Sequence, residues 1–171
     1  MIINKNIDIV LHPSDALCHC ANCYTTMSSG VARRLRTVYP EIYEADCLTK
    51  RGDYNKLGKI SVANFKDGKV GFNIYAQYTY GTEKRQLNYE AMYTGLEAVK
   101  EYMVEHKLKT LSIPRNMGCR LAGGNWSVVE KMIEVIFEDG LVDVTICNYD
   151  PSSTPPPKVN KTMMNDFFGE I

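Results

Sequence analysis

Two loops of small residues constrain the fold of this chain most, because each lies between an apolar strand-like run and an amphipathic helix. Residues 25–30 follow the run 15–21, and residues 115–124 follow the run 109–114. Such a loop leaves backbone N–H groups free at the start of a helix, where the helix dipole also favours an anion. Both loops therefore predict phosphate sites. The alternative is that their glycines only relieve backbone strain in ordinary connections.

Strand-like and helical patterns alternate along most of the chain. Apolar runs bounded by turn signals predict strands at residues 2–10, 15–21, 58–65, 70–78, 109–114 and 142–148. Apolar residues at helical spacing predict helices over 31–38, 89–103 and 126–137. This order predicts the α/β class, with a mixed central sheet and helices on both faces. Sheets of this kind bind ligands at the carboxyl ends of their strands, where both small-residue loops lie.

Length and charge exclude several classes of protein. A chain of 171 residues suits one domain, which we place at residues 1–150, before a tail, 151–171, that begins with a Pro-rich linker. Lys plus Arg equals Asp plus Glu at 20 each, which argues against a duplex nucleic acid as partner. The sequence has neither an apolar run of about 18 residues nor the apolar core of a signal peptide. We therefore expect a cytoplasmic protein without a membrane partner, monomeric or weakly oligomeric, that binds a small molecule.

Three of the six cysteines lie close together, at Cys18, Cys20 and Cys23, around His19. Structural zinc sites usually take two separated pairs of ligands, and the sequence has no second CxxC or HxxxH pair. We therefore favour small buried thiols over a zinc site, and we predict neither a metal nor a cofactor.

Four segments carry motifs that are specific in combination: HCANCYTTMSSGVARRL, GFNIYAQYTYG, IPRNMGCRLAGGNW and VDVTICNY. Together they resemble the macro domain family, and within it the branch of bacterial, phage and yeast proteins that includes the yeast-type ADP-ribose-1″-phosphate phosphatase. The resemblance runs in register over about residues 1–150. It implies a three-layer α/β/α fold with a mixed six-stranded sheet, and a cleft that binds ADP-ribose or a phosphorylated derivative.

The resemblance also assigns ligand-binding residues, with the diphosphate between the two small-residue loops. They are Asp8, Gln77, Tyr80 and Tyr149, with Ser28, Ser29, Gly30 and Val31 in the first loop and Gly118, Cys119, Arg120, Leu121 and Ala122 in the second. Gln77 and Tyr80 correspond to the distal ribose end, and Tyr149 to an aromatic residue that stacks on adenine. A gapless match puts Ile7 where the family has its adenine-binding Asp, so Asp8 takes that role only through a bulge or shift.

Catalysis rests on the HxxNC motif, which makes His19 and Asn22 the candidate catalytic residues. A neutral imidazole can act as general base or nucleophile toward a phosphate ester, and Asn22 can orient the ribose or a water. We therefore predict hydrolysis of the terminal phosphate of ADP-ribose 1″-phosphate. The alternative for His19 is a buried strand histidine with a satisfied hydrogen bond.

Two departures from the family pattern keep the question of catalysis open. The acidic residues that other hydrolytic macro domains use are replaced here by Ala32 and Ala122. These replacements favour a non-catalytic ADP-ribose-binding module as the alternative function. They disfavour a third possibility, removal of ADP-ribose from proteins.

Overall fold

The computed structural model describes residues 1–149, which contain six strands and four α-helices. The strands are β1 (Ile2–Lys5), β2 (Ala16–Asn22), β3 (Ile60–Asn64), β4 (Val70–Gln77), β5 (Thr110–Pro114) and β6 (Asp143–Cys147). The helices are α1 (Gly30–Val38), α2 (Pro40–Cys47), α3 (Tyr89–Glu105) and α4 (Trp126–Ile136). The predicted tail, 151–171, lies outside the described residues, as does residue 150.

The strands form one mixed sheet in the order β1-β6-β5-β2-β4-β3. Neighbouring strands are parallel except β3 and β4, which are antiparallel and joined by the predicted Asp67-Gly68 turn. Gly68 has a φ of 91°, and the Asp67 carboxylate accepts a hydrogen bond from the N–H of Lys69 at 2.9 Å. The carboxyl ends of the five parallel strands therefore meet at one edge of the sheet.

Helices cover both faces of the sheet, because successive strand residues point to opposite sides. Cys18 of β2 packs in the core formed with α3 and α4, whereas Leu17 packs in the core formed with α1 and α2. This three-layer α/β/α arrangement confirms the predicted fold class. Within residues 1–149, no helix is long and apolar enough to cross a membrane.

The helices begin in two different ways. Asn88 caps α3 by accepting the N–H of Ala91, and Asn125 caps α4 by accepting the N–H of Ser127, both at 2.9 Å. Ser29 stands at the same position before α1, but its side chain makes no capping bond. The first turn of α1 therefore keeps its N–H groups free of a capping side chain.

Two predictions about elements are wrong. The sequence predicts a strand over 2–10, but β1 ends at Lys5, because Asp8 forms a turn in which its carbonyl accepts the N–H of Leu11 at 2.9 Å. The sequence patterns predict no element over 40–47, yet α2 occupies these residues. Pro40 begins this helix, which suits proline because a first-turn residue needs no N–H donor.

Candidate functional site

A cleft of about 680 Å³ opens at the edge of the sheet where the parallel strands end. Its volume lies in the range of small-molecule and cofactor sites. The predicted site residues that line it are Asp8, His19, Asn22, Ser28, Ser29, Gly30, Val31, Gln77, Tyr80, Gly118, Arg120, Leu121, Ala122 and Tyr149. The structure therefore brings residues from five separate segments of the chain to one site.

The two small-residue loops are neighbours in this cleft. They follow β2 and β5, which lie side by side and parallel in the sheet. A Cβ atom placed on Gly30 would lie 3.8 Å from Cδ1 of Leu121, which is van der Waals distance. One ligand can therefore touch both loops at once.

Free backbone donors characterise the first loop. The first intrahelical bond of α1 joins the N–H of Arg33 to the carbonyl of Ser29 at 3.2 Å. Among the described residues, no protein acceptor pairs with the N–H groups of Ser28, Gly30 or Val31. Because these donors lie at the positive end of the α1 dipole, the position favours an anion.

The second loop also contains free backbone donors, although other N–H groups in it are paired within the protein. Over residues 1–149, the N–H groups of Gly118, Arg120 and Leu121 have no protein acceptor. Cys119 was predicted to bind the ligand, but its N–H donates to the carbonyl of Asn116 at 2.8 Å and its side chain packs against the core. Cys119 is thus not among the residues that line the cleft, and its role as a ligand-binding residue stays a prediction.

Side chains hold the first loop in an unusual backbone conformation. Thr25 and Met27 have positive φ values of 58° and 37°, which non-glycine residues rarely adopt. Asn22 donates from Nδ2 to Oγ1 of Thr26 at 2.7 Å and accepts the N–H of Tyr24 at 2.9 Å. Arg36 donates to the carbonyl of Thr26 at 3.4 Å. Asn22, a predicted catalytic residue, thus uses both ends of its amide to shape the loop.

His19 lies on the floor of the cleft with its tautomer defined by its neighbours. The Nδ2 group of Asn73 donates to the carbonyl of Ile42 at 2.9 Å and to Oγ of Ser61 at 3.0 Å. Oδ1 of Asn73 therefore faces His19 and accepts a hydrogen bond from Nε2–H at 2.5 Å. The proton is thus on Nε2, and Nδ1 carries a lone pair that has no hydrogen-bond partner among the described residues.

Burial determines the charge of His19. The side chain is 1% exposed, and desolvation lowers its pKa from 6.5 to about 4, against the smaller opposing effect of the Asn73 hydrogen bond. The imidazole is therefore neutral near pH 7. Its free nitrogen can accept a hydrogen bond there, but it is a weak base.

A buried chain of hydrogen bonds connects His19 to a carboxylate that the sequence did not indicate. From Asn73, the chain continues through Oγ of Ser61 to the hydroxyl of Tyr75 at 2.9 Å, which in turn donates to Asp46 at 2.7 Å. Desolvation raises the pKa of Asp46. Both ends of the chain, His19 and Asp46, line the cleft.

At one end of the cleft, Asp8 lies in the lining and Ile7 does not. Because β1 ends early, the chain turns and places Asp8 in the cleft lining, whereas Ile7 packs against the core beside α1. Arg34 of α1 donates to the Asp8 carboxylate and lies with its guanidinium 5.5 Å from the ring centroid of Tyr149. An acidic, a basic and an aromatic side chain thus share this end.

The cysteine cluster does not form a metal site. Cys18 and Cys20 face the α3 side of the sheet, whereas His19 faces the α2 side, where its partner Asn73 bonds the carbonyl of Ile42. Burial raises the pKa of the Cys20 thiol to about 12, so that it stays protonated. Within residues 1–149, no group of three or more His, Cys, Asp or Glu side chains has the arrangement of a metal site.

Sequence reasoning missed several cleft residues. They include Thr26, Met27, Arg34, Asp46 and Asn116. A signal existed for Arg34, because it follows Gly30 by four residues and so lies on the same face of α1. No signal existed for Asp46, because its position depends on α2.

Comparison with known proteins identifies curated relatives, although no family model matches the chain. An uncharacterized 17.5 kDa protein in the tk-vs intergenic region of Enterobacteria phage T4 is 32% identical over 140 residues, which cover 79% of this chain and 86% of that protein. The human ADP-ribose glycohydrolase OARD1 is 28% identical over 133 residues, which cover 78% of this chain and 81% of that protein.

Solved structures share the fold at lower identity. The macrodomain of Mycobacterium tuberculosis DarG has a TM-score of 0.73 at 21% identity, over 88% of this chain and 98% of that chain. The Oceanobacillus iheyensis macrodomain with ADP has a TM-score of 0.66 at 14% identity, over 87% of this chain and 83% of that chain. The sheet order, the two-loop cleft and these relatives lead to one assignment. The chain belongs to the macro domain family.

Proposed function

We propose that the cleft binds ADP-ribose or a phosphorylated derivative, with the diphosphate between the two loops. The observation that carries this proposal is the presence of two sets of unpaired backbone N–H groups, one at Gly30 and one at Gly118, in adjacent loops. Two linked phosphates match two adjacent anion sites. The cleft volume of about 680 Å³ also suits a ligand of this size.

The two ends of the cleft support the same ligand. Tyr149 offers a flat aromatic surface for a base at one end. Asn22, Gln77 and Tyr80 supply polar groups at the other end, where a ribose presents hydroxyls. The relatives point in this direction as well, since one is an ADP-ribose glycohydrolase and another is a macrodomain with ADP.

Titration calorimetry tests the binding proposal. The full chain is titrated with ADP-ribose, with AMP and with ribose 5-phosphate, of which the last two carry one phosphate each. Because two linked groups engage two sites, we expect ADP-ribose to bind about a hundredfold more tightly than either fragment. Equal affinity for ADP-ribose and AMP would contradict a site built for two phosphates.

For the reaction, we propose hydrolysis at the distal ribose, with ADP-ribose 1″-phosphate as substrate. Water attacks phosphorus, the bond from phosphorus to O1″ breaks, and ADP-ribose leaves with a proton on O1″. Nδ1 of His19 carries a buried lone pair without a protein partner, and in the proposed reaction the attacking water donates a hydrogen bond to it once this atom is uncovered. Asn22 contributes by holding the first loop in place.

One assay separates this reaction from non-catalytic binding. The chain is incubated with ADP-ribose 1″-phosphate, and inorganic phosphate is measured for the wild type and for His19→Ala. Phosphate release that depends on His19 supports the proposal, whereas unchanged turnover in His19→Ala removes His19 from the mechanism. Binding without any product over hours indicates a non-catalytic module.

Release of ADP-ribose from a mono-ADP-ribosylated protein is the third candidate reaction. The relationship to an ADP-ribose glycohydrolase favours it, whereas the alanines at 32 and 122 oppose it. The test is to incubate the chain with such a protein and to measure free ADP-ribose. Its release supports this third reaction, and its absence argues against it.

A further inference from the structure

The base end of the cleft contains an ion pair instead of a free carboxylate. The Asp8 side chain is 1% exposed, and both of its oxygens are engaged. Oδ1 accepts the N–H of Val10 at 3.1 Å, and Oδ2 accepts Nε–H of Arg34 at 2.7 Å. The carboxylate that faces the base is therefore already neutralised by a guanidinium.

Arg34 lies in the cleft itself. It follows Gly30 by one helical turn on α1, so it projects from the same face as the first loop. Its side chain is 29% exposed, and its guanidinium lies 5.5 Å from the ring centroid of Tyr149. Asp8, Arg34 and Tyr149 all line the cleft, so a base held against Tyr149 meets both charged groups.

The chemistry of the pair differs from that of a lone carboxylate. A carboxylate only accepts hydrogen bonds, so it binds the 6-amino group of adenine and repels the carbonyl of a 6-oxopurine. A guanidinium only donates, so it binds that carbonyl. In the pair, Asp8 supplies an acceptor and Arg34 supplies donors. Together they can match the 6-amino group of adenine or the carbonyl of a 6-oxopurine.

We propose that Arg34 is a specificity-determining residue that lets the cleft bind diphosphate-linked ribosides of 6-oxopurines as well as those of adenine. This inference rests on the proposed function, because it concerns the base of the same ligand. It predicts that the protein without Arg34 discriminates strongly in favour of adenine.

The test compares two ligands that differ only at the base, ADP-ribose and inosine diphosphate ribose. Affinities for both are measured by calorimetry with the wild type, Arg34→Ala, Arg34→Gln and Arg33→Ala. The ratio of the two affinities is the readout, since any general effect on folding or on the phosphates cancels in it. Arg33 is the matched control, because this neighbouring arginine on α1 does not line the cleft.

We expect the wild type and Arg33→Ala to bind the two ligands within about threefold of each other. Both Arg34 variants are expected to prefer ADP-ribose by about tenfold, since each lacks the guanidinium that would donate to the carbonyl of a 6-oxopurine. Arg34→Ala leaves a buried carboxylate without its partner and so is the less stable variant. Arg34→Gln retains a donor for Asp8 and preserves the test if the alanine variant unfolds.

Three outcomes overturn the inference in different ways. An affinity ratio that is the same in the wild type and in Arg34→Gln shows that Arg34 does not set the base preference. A wild type that already prefers adenine by tenfold or more contradicts the proposed tolerance. If neither ligand binds the wild type, the proposed function itself fails, and the inference fails with it.

Discussion

Side chains hold the first loop of the cleft, whereas glycines and backbone bonds hold the second. In the first loop, Asn22 donates a hydrogen bond to the hydroxyl of Thr26, and Arg36 donates one to the carbonyl of Thr26. In the second, the N–H of Gly124 donates to the carbonyl of Gly118 at 3.0 Å. Both loops nevertheless direct free N–H groups at one cleft. Free N–H groups are thus held in place in two different ways, and we expect different substitutions to disrupt the two loops.

The supporting layers differ in the same way. The second loop packs on apolar side chains such as Leu87 and Met92, which lie next to Gly118. The first loop lies on the side of the sheet that contains the buried polar chain from His19 to Asp46. We therefore expect added side-chain volume to disrupt the second loop most. Changes of pH and the removal of polar groups should mainly affect the first loop.

The largest expected effect is that of Gly118→Ala in the second loop. Gly118 has a φ of 73°, and a Cβ there would lie 2.8 Å from Cδ1 of Leu87 and 3.2 Å from Cε of Met92. We expect a loss of about 3 kcal/mol in the free energy of unfolding, because strain and overpacking add. ADP-ribose affinity should fall by about a hundredfold, since the loop must move.

Gly140→Ala is the control for this change. Gly140 has nearly the same φ, 71°, but a Cβ there meets no atom within 4 Å. Chemical denaturation and calorimetry should therefore show a loss of about 1 kcal/mol and unchanged affinity. Equal losses of stability in the two variants would mean that close packing does not shape the second loop.

The next effect concerns pH and the polar side of the sheet. The pKa of His19 is about 4 in the folded chain and 6.5 ordinarily, so between these values the unfolded chain binds a proton that the folded chain does not. The contribution of His19 to the free energy of unfolding is therefore fully present above pH 6.5. It falls by up to about 3 kcal/mol as the pH drops to 4.

Denaturation of the wild type and of His19→Gln over pH 4–7 isolates that contribution, because other groups titrate in both proteins. We expect the difference in stability between the two to change in this window and to be constant above it. A constant difference throughout would show that His19 is not buried in the neutral form.

A smaller effect should follow from removing the polar bond in the first loop. Thr26→Val deletes the hydroxyl that accepts from Asn22 but leaves Asn22 in the cleft. If Asn22 acts by shaping the loop, Thr26→Val and Asn22→Ala should each weaken ADP-ribose binding by about tenfold. The double variant should then be no weaker than either single one, since the two residues form one unit.

Calorimetry on these three variants distinguishes shaping from direct contact. Full affinity in Thr26→Val, together with a large loss in Asn22→Ala, would indicate that Asn22 contacts the ligand itself.

The smallest expected effect is that of Arg36→Met. Arg36 bonds the carbonyl of Thr26 at 3.4 Å and lies 3.5 Å from the ring centroid of Tyr43. We expect ADP-ribose to bind about threefold more weakly, because this hydrogen bond is long and partly exposed. Arg33→Met removes the same charge from α1 without touching the loop, and calorimetry should find its affinity unchanged. Equal losses of affinity in the two variants would mean that Arg36 acts through its charge and not through its hydrogen bond to Thr26.

Local patterns were sufficient to predict the fold class and both loops. Gly30 and Gly118 lie in segments whose composition alone predicts free N–H groups near a helix start or a strand end. The helix from 40 to 47 escaped prediction, because Pro40 is compatible with either a break or a helix start.

Features that depend on tertiary contacts were not predictable. The direction of Cys119 depends on how its turn packs against the core. The pairing of Asp8 with Arg34 joins the turn after β1 to α1, and no local pattern specifies that these two segments approach each other. The same holds for Asp46, which reaches the cleft only through the packing of α2 on the sheet.

An amide NMR titration tests the central claim most directly, since that claim concerns backbone N–H groups at two loops. With ADP-ribose added to the labelled full chain, we predict the largest shifts at the amides of Gly30, Val31, Gly118, Arg120 and Leu121, saturating together. Shifts confined to one loop, or the absence of shifts in both at millimolar ADP-ribose, would contradict a diphosphate held between them.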